Sequence, residues 1–217
     1  MIHEREQRRR QAIKAHKEAL APVICEVRSA GHDIESLDEL RRSGTKYTSV
    51  IPILLYWLPR ISLADAKESI VRTVSVPWAK SIASQTLIEE YENTANEEHS
   101  LRWAIGNAID VLAEPSLLED LIRITTDAGN GKSREMFVLA FGKIRDPRSV
   151  KTLIQLLEDE QVAGHAIVAL RKLGAPEALD HFARFANHPQ TWIRNEAKKG
   201  IAKIMKTHLP DLGLERK

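Results

Sequence analysis

Apolar residues in the second half of the chain recur with the spacing of one face of an α-helix. Three prolines, Pro115, Pro147 and Pro176, serve as reference points, at intervals of 147 − 115 = 32 and 176 − 147 = 29 residues. Three, six, seven and ten positions before each proline stands an apolar or small residue, as in an amphipathic helix. These residues are Ile105, Ala108, Ile109, Leu112, Phe137, Ala140, Phe141, Ile144, Ala166, Ala169, Leu170 and Leu173. The alanine seven positions before each proline predicts a close approach by another helix.

A second apolar stripe follows each proline, at three, six and nine positions beyond it. Its members are Leu118, Leu121, Ile124, Val150, Leu153, Leu156, Leu179, Phe182 and Phe185. Proline fits the first turn of a helix, where its missing N–H costs nothing, and it discourages the helix before it from continuing. Each unit is therefore predicted to be a hairpin of two helices joined by a tight turn at the proline.

The same pattern predicts a final half-unit and a recurring arginine. Residues 193–204 match the first stripe when Thr207 takes the place of the proline. Thirteen positions before the reference residues stand Arg102, Arg134 and Arg194, with Ala163 as the exception. Repetition at so many positions predicts a repeat protein.

The first hundred residues are less regular but also indicate helices. The predicted segments are a charged helix over 3–29, with an interruption near Pro22 left open, a short helix over 34–42, a hairpin of 47–58 and 63–74, a helix from Pro77 to Tyr91, and a loop over 92–98. The resulting division is an N-terminal helical cap at 1–44, divergent hairpins at 45–98, regular repeats at 99–206 and a tail at 207–217. We expect all four parts to form one continuous solenoid, because a stack of repeats needs a polar end.

These repeats resemble HEAT repeats, in particular the short bacterial kind named after phycobilisome lyases. The stretches that carry the resemblance are Arg134 to Ile144 followed by Arg145-Asp146-Pro147, Val150 to Asp159, and Val162 to Gly174. The resemblance implies an all-α fold, an α-α superhelix of antiparallel helical hairpins. It also implies that the helices before the prolines line the concave face.

Composition limits the class of protein. Hydrophobic residues make up 43% and charged residues 29%, which is typical of a folded, soluble chain. The charge balance, 32 basic against 30 acidic residues, gives no sign of a polyanion partner by itself. Cys25 is the single cysteine, so an internal disulfide is excluded, and its neighbours Ile24 and Val27 predict a buried position. With no signal peptide or membrane segment in the pattern, we expect a cytoplasmic protein.

The sequence offers no metal or cofactor motif. The hydroxylase branch of the family binds iron through His-Glu pairs, but the one such pair here is His3-Glu4, in the charged N-terminal segment. His165 is followed by Ala166 and is expected to contact a neighbouring helix instead. The glycine-rich segment 129–133 lacks the spacing of a phosphate loop and predicts a turn. We therefore expect no metal, no cofactor and no catalytic residue.

Basic and aromatic residues on the helices that precede the prolines allow two interpretations. They could contact phosphates, as in HEAT-like DNA glycosylases. Alternatively, the recurring arginines are structural and pair with a carboxylate such as Asp120 or Asp159. For Trp103 and Trp192 the core and an exposed ridge both remain open. A basic cluster near the N-terminus is interleaved with glutamates and indicates a solvated helix face more than a binding site. Its members are Arg5, Arg8, Arg9, Arg10, Lys14 and Lys17.

The leading hypothesis is a non-enzymatic scaffold or adaptor that binds a protein or peptide on the concave face. The candidate binding residues are Arg102, Trp103, Asn107, Arg134, Lys143, His165, Lys172, Trp192 and Arg194. The alternatives are a nucleic-acid-binding or base-excision protein of the HEAT-like glycosylase type, and a subunit of a bilin lyase. The sequence indicates no membrane partner and leaves the oligomeric state open.

Overall fold

A computed structural model describes residues 2–208 of the chain, and within this range every regular element is a helix. The α-helices are α1 (Ile2–Ser29), α2 (Leu37–Arg42), α3 (Ile51–Trp57), α4 (Ala64–Val74), α5 (Ser84–Asn93), α6 (His99–Leu112), α7 (Leu118–Thr126), α8 (Glu135–Ile144), α9 (Ser149–Leu156), α10 (Ala163–Leu173), α11 (Leu179–Phe185) and α12 (Thr191–His208). The predicted all-α fold is confirmed. The chain divides into two compact units, unit 1 (Met1–Leu112) and unit 2 (Ala113–Lys217).

Unit 1 is built around α4. This helix packs against α1, α2, α3 and α6, and α5 packs against α6. Val23 and Val27 of α1, Leu54 of α3 and Ile70 of α4 are fully buried in the core. The predicted hairpin is present as α3 and α4.

For unit 1 the structure resolves the question left open at Pro22 and corrects two predictions. The first helix is not interrupted at Pro22, since α1 runs through this residue and is held by Leu20, Val23 and Val27 in the core. Cys25 is exposed rather than buried. It lies two residues from both Val23 and Val27, and two residues along a helix lead to the opposite side.

The helix predicted from Pro77 to Tyr91 is broken in the middle. A short 3-10 helix covers Pro77–Ile82, and its backbone leaves helical geometry at Lys80 (ψ 175°) and Ser81 (φ +44°). The α-helix α5 begins only at Ser84 and ends at Asn93. A positive φ is costly for a residue other than glycine, and nothing in the pattern of apolar residues signals it.

Unit 2 contains the regular repeats. The helices before the reference residues, α8, α10 and α12, pack side by side and are called here the first helices. The second helices, α7, α9 and α11, pack against them, and α7 also contacts α9. In this unit the stripe six, seven and ten positions before each proline is buried, as Phe137, Ala140, Phe141, Ala166, Ala169 and Leu170 are fully inaccessible to solvent. The predicted helical hairpins are confirmed in this unit.

Small residues allow neighbouring helices of unit 2 to approach closely. A Cβ atom added to Gly142 of α8 would lie 3.1 Å from Cα of Ala169 in α10. A Cβ atom added to Gly200 of α12 would lie 2.4 Å from the ring of Phe182 in α11. Ala169, the alanine seven positions before Pro176, therefore lies at a close helix contact, as its spacing predicts.

The predicted turns are also present. Short 3-10 helices at Pro115–Leu117 and Pro176–Ala178 precede α7 and α11, and Pro147 lies in the turn before α9. The glycine-rich segment forms a 3-10 turn at Ala128–Arg134, in which Gly131 has φ +56°. Among the described residues, no helix combines the length and the apolar character that crossing a bilayer requires.

Candidate functional site

Arg134, one of the three recurring arginines, is an internal structural group. Only 1% of its surface is exposed. Its guanidinium donates hydrogen bonds to the carbonyl oxygens of Gly131 (2.8 Å) and Thr125 (3.0 Å) and to Oδ2 of Asp159 (2.7 Å). Thr125 lies in the last turn of α7, where helix carbonyls have no partner within the helix. Arg134 thus ties the end of a second helix to the start of α8 and to the turn before α10.

The other two recurring arginines bind carbonyl groups in the same way. Arg102 is 4% exposed and donates to the carbonyl oxygens of Tyr91 (3.2 Å) and Thr94 (2.7 Å) at the end of α5. Its guanidinium carbon lies 3.9 Å from the centre of the Tyr91 ring. Arg194 donates to the carbonyl oxygen of His188 (2.7 Å), just beyond α11.

The two carboxylates considered as partners of these arginines behave differently. Asp159 is the partner of Arg134, as the structural interpretation expects. Asp120 instead pairs with Arg123 of its own helix, at 2.6 Å. The arginines therefore do not form an open basic stripe.

Lysines recur at one position of the first helices. Lys143, Lys172 and Lys203 lie near the ends of α8, α10 and α12, each four positions before a reference residue (147 − 143 = 4, 176 − 172 = 4, 207 − 203 = 4). We call these three residues the lysine row. Lys143 and Lys203 are exposed and Lys172 is half-buried. The row gives the surface of the first helices a positive edge.

Contacts between neighbouring helices hold the lysine row in place. The side chain of Lys172 lies over Gly142, where an added Cβ would come within 2.8 Å of its Cδ. Nζ of Lys203 donates to the carbonyl oxygens of Arg171 and Lys172, both at 2.9 Å, at the end of α10. Positive charge at a helix C-terminus is favourable, so part of the row's role is to stabilise these ends. Within the described chain, no carboxylate forms an ion pair with Lys172 or Lys203.

One acidic residue lies beside the row and is shared by two basic groups. Oε2 of Glu196 accepts from Arg171 at 2.6 Å and its Oε1 accepts from Lys199 at 2.7 Å. Burial raises the pKa of Glu196, but the hydrogen bonds from Lys199 and Arg171 outweigh it and hold the pKa below its usual value. With two cations and one anion, this group keeps a net positive charge.

An aromatic cluster occupies the opposite ends of the first helices. The Trp192 ring is 44% exposed and packs on Gly164, whose added Cβ would lie 2.2 Å from its Cη2 atom. The His165 ring centre lies 5.5 Å from that of Trp192, and its Nε2 is 4.0 Å from Oε2 of Glu135. His165 thus contacts neighbouring helices, as expected. Burial lowers the pKa of His165, and the nearby Glu135 carboxylate only partly opposes this.

The remaining candidate residues belong to unit 1. Trp103 is 45% exposed on α6, and Nδ2 of the half-buried Asn107 donates to its carbonyl oxygen at 2.8 Å. Both tryptophans therefore lie on the surface rather than in the core. Of the nine candidate residues, the structure brings Lys143 and Lys172 together in one row, and His165 and Trp192 together in one cluster.

The sequence analysis did not identify Lys203 of the lysine row or Glu135, which lies beside His165. The recurrence of lysine four positions before each reference residue could have identified Lys203. Glu135 has no comparable signal, because its position beside His165 depends on how α8 and α10 pack. No group of three or more metal-binding side chains occurs among the described residues.

Comparison with known protein families identifies part of the regular repeats. The model of the HEAT-repeat family matches residues 118–202, which lie within unit 2. No curated protein matches the chain in sequence.

Proposed function

We propose, from the premise that residues 118–202 are HEAT repeats, that the protein is a non-enzymatic scaffold or adaptor that binds a protein partner on the surface of its first helices. HEAT repeats suggest an interaction role of this general kind. The observation that carries the specific proposal is the lysine row, a set of aligned positive charges on three consecutive first helices. We further propose that the protein acts in the cytoplasm and without a cofactor.

The chemistry of the row indicates an acidic partner. An extended segment rich in aspartate or glutamate could place a carboxylate near Lys172 and near Lys203, which form no ion pair within the described chain. Such charge complementarity raises the association rate and selects against partners of the wrong sign. The packed helices hold the lysines before the partner arrives, so little ordering entropy is lost on binding.

The aromatic cluster supplies the apolar part of the proposed surface. Trp192 exposes a large ring that is held at one edge by Gly164. Exposed tryptophans that are fixed in this way are frequent anchors of protein interfaces. The proposed surface therefore has an anchor at one end and positive charge at the other, and both lie on α10 and α12.

A protein partner is favoured over nucleic acid by the state of the arginines. Binding of the glycosylase type would draw on Arg102, Arg134 and Arg194 as phosphate contacts. Arg102 and Arg134 are buried, however, at 4% and 1% exposure. Arg194 is half-buried, and its guanidinium donates to the carbonyl oxygen of His188. The bilin-lyase alternative rests on the family name, and no contact among the described residues favours it.

The test is affinity capture from the native host, followed by mass spectrometry. The bait variants are Lys143→Glu/Lys172→Glu/Lys203→Glu and a control, Lys132→Glu/Lys151→Glu/Lys198→Glu, which makes the same change of charge at exposed sites outside the row. We expect the row variant to lose a partner that the wild type and the control retain. Equal capture by all three baits would contradict the proposal, as would capture of nucleic acid alone.

A further inference from the structure

The turn after α8 contains an arginine in a backbone conformation that favours glycine. Arg145 directly follows the last residue of α8 and has φ +57° and ψ +32°, in the left-handed helical region. In this region a side chain crowds its own backbone, so residues other than glycine adopt it at a cost in stability. Among the described residues, one other residue that is not glycine, Ser81, has a positive φ. The side chain of Arg145 therefore makes this turn less stable than glycine would.

The next repeat has glycine at the equivalent position. Gly174 follows α10 as Arg145 follows α8, and each lies two positions before its reference proline (176 − 174 = 2, 147 − 145 = 2). Gly174 has φ +72° and ψ +30°, close to the angles of Arg145. The N–H of Arg145 donates to the carbonyl oxygen of Phe141 at 3.0 Å, and the N–H of Gly174 donates to that of Leu170 at 2.9 Å. The two turns share one backbone geometry, and glycine suits it better than arginine.

Contacts within the described chain do not explain the arginine either. Its side chain is exposed, and its guanidinium forms no hydrogen bond or ion pair with any other described residue. The carboxylate next to it in sequence, that of Asp146, accepts from Arg148 through both oxygens. The other described arginines of unit 2 all have partners; they are Arg123, Arg134, Arg148, Arg171, Arg184 and Arg194. The guanidinium of Arg145 is therefore open to a group from another molecule.

A structural role for the charge is filled by another residue. A positive charge near the C-terminus of a helix stabilises that helix. Lys143 lies in the last turn of α8 and supplies such a charge with an ordinary helical backbone. Arg145 adds a second charge at a position where its backbone is strained. Strain of this kind persists mainly where the residue has a function.

We infer that Arg145 is a binding residue of the proposed surface and that its guanidinium binds a carboxylate of the acidic partner. Arg145 lies two residues after Lys143 of the lysine row, so the Cα atoms of these residues are within about 7 Å of each other. A guanidinium binds a carboxylate through two parallel hydrogen bonds, a geometry that the point charge of a lysine does not offer. The α8 end of the row therefore recognises the shape of a carboxylate as well as its charge. This inference rests on the function proposed above.

Arg145→Gly tests stability and binding at the same position. Glycine relieves the backbone, and we expect the melting temperature to rise by about 2 °C. The affinity for a labelled glutamate-rich peptide should fall at least about fivefold, because the paired hydrogen bonds are lost. The control Lys151→Gln removes one positive charge at an exposed site of unit 2 outside the row, and should stay within about twofold of the wild-type affinity. A lower melting temperature, an unchanged affinity, or equal weakening by the control would overturn the inference.

Arg145→Lys separates the shape of the binding group from its charge. Lysine keeps both the charge and the backbone strain, so the melting temperature should stay within about 1 °C of the wild type. The affinity for the peptide should still fall at least about threefold, because paired hydrogen bonds need the guanidinium. Full affinity with lysine at this position would contradict the inference.

The same titrations distinguish failure of this inference from failure of the proposed function. The peptide can bind the wild type and lose affinity for the Lys143→Glu/Lys172→Glu/Lys203→Glu variant, but keep it for both Arg145 variants. That result would remove the role of Arg145 and leave the proposed function in place. A peptide that does not bind the wild-type protein would remove both.

Discussion

The two units use the same buried arginine but differ in what they expose. Arg102 in unit 1 and Arg134 in unit 2 both bind the carbonyl groups at the end of a helix. Four positions before the reference proline, however, stands Val111 in unit 1 and a lysine in each repeat of unit 2. The arginine thus belongs to the framework that both units share, and the lysine row is particular to unit 2. A recurring basic residue is therefore a candidate for binding only where its charged group reaches the surface.

The largest expected effect is on the free energy of unfolding, and it distinguishes the buried Arg134 from Lys172 of the lysine row. Arg134→Met removes hydrogen bonds to Gly131, Thr125 and Asp159 and leaves buried polar groups without a partner. We expect the free energy of unfolding to fall by about 3 kcal/mol, measured by urea denaturation. Lys172→Met should change it by less than about 0.5 kcal/mol. A similar loss from both substitutions would remove the distinction between framework and surface.

A second prediction concerns the close packing of helices in unit 2. Gly200→Ala would press a methyl group into the ring of Phe182, and we expect a loss of about 2 kcal/mol in the free energy of unfolding. Phe182→Leu should relieve part of this clash, so the loss in the double variant should be smaller than the sum of the two single losses. Simple additivity would show that the two residues do not determine each other's packing.

The regular unit could be predicted from the sequence to a greater extent than the irregular one. The stripes around Pro147 and Pro176 specify the helices of unit 2 and their buried faces, because each repeat meets a similar neighbour. The break at Ser81 and the exposure of Cys25 depend on how single segments pack in unit 1. No recurring sequence pattern in this unit predicts that packing. The sequence leaves open whether Arg134 is structural or binding, because its partners come from three separate segments.

The third prediction tests the irregular backbone of unit 1. Ser81 has φ +44°, a conformation that glycine adopts without strain. We expect Ser81→Gly to increase the free energy of unfolding by about 1 kcal/mol. The matched control is Ser62→Gly, at another exposed serine of unit 1, and it should not stabilise the protein. Destabilisation by Ser81→Gly would mean that the side chain of Ser81, not its backbone, determines the stability at this position.

The smallest predicted effect is a pH dependence in unit 2. Burial holds the pKa of His165 below its ordinary value of 6.5, so the folded state binds a proton less readily than the unfolded state. The contribution of this residue is therefore present above about pH 6.5 and is lost as the pH falls below it. We expect His165→Gln to reduce the loss of stability between about pH 7 and about pH 5. Unfolding curves of both proteins at several pH values measure this, and identical pH profiles would contradict it.

The most direct test of the proposed surface is a fluorescence anisotropy titration with a labelled glutamate-rich peptide. Three proteins are compared, namely the wild type, the Lys143→Glu/Lys172→Glu/Lys203→Glu variant and the Lys132→Glu/Lys151→Glu/Lys198→Glu control. We predict that reversing the lysine row weakens binding by more than about tenfold and that the control keeps an affinity near that of the wild type. Equal loss in the two variants would show that net charge alone attracts the peptide and would contradict a specific role for the lysine row.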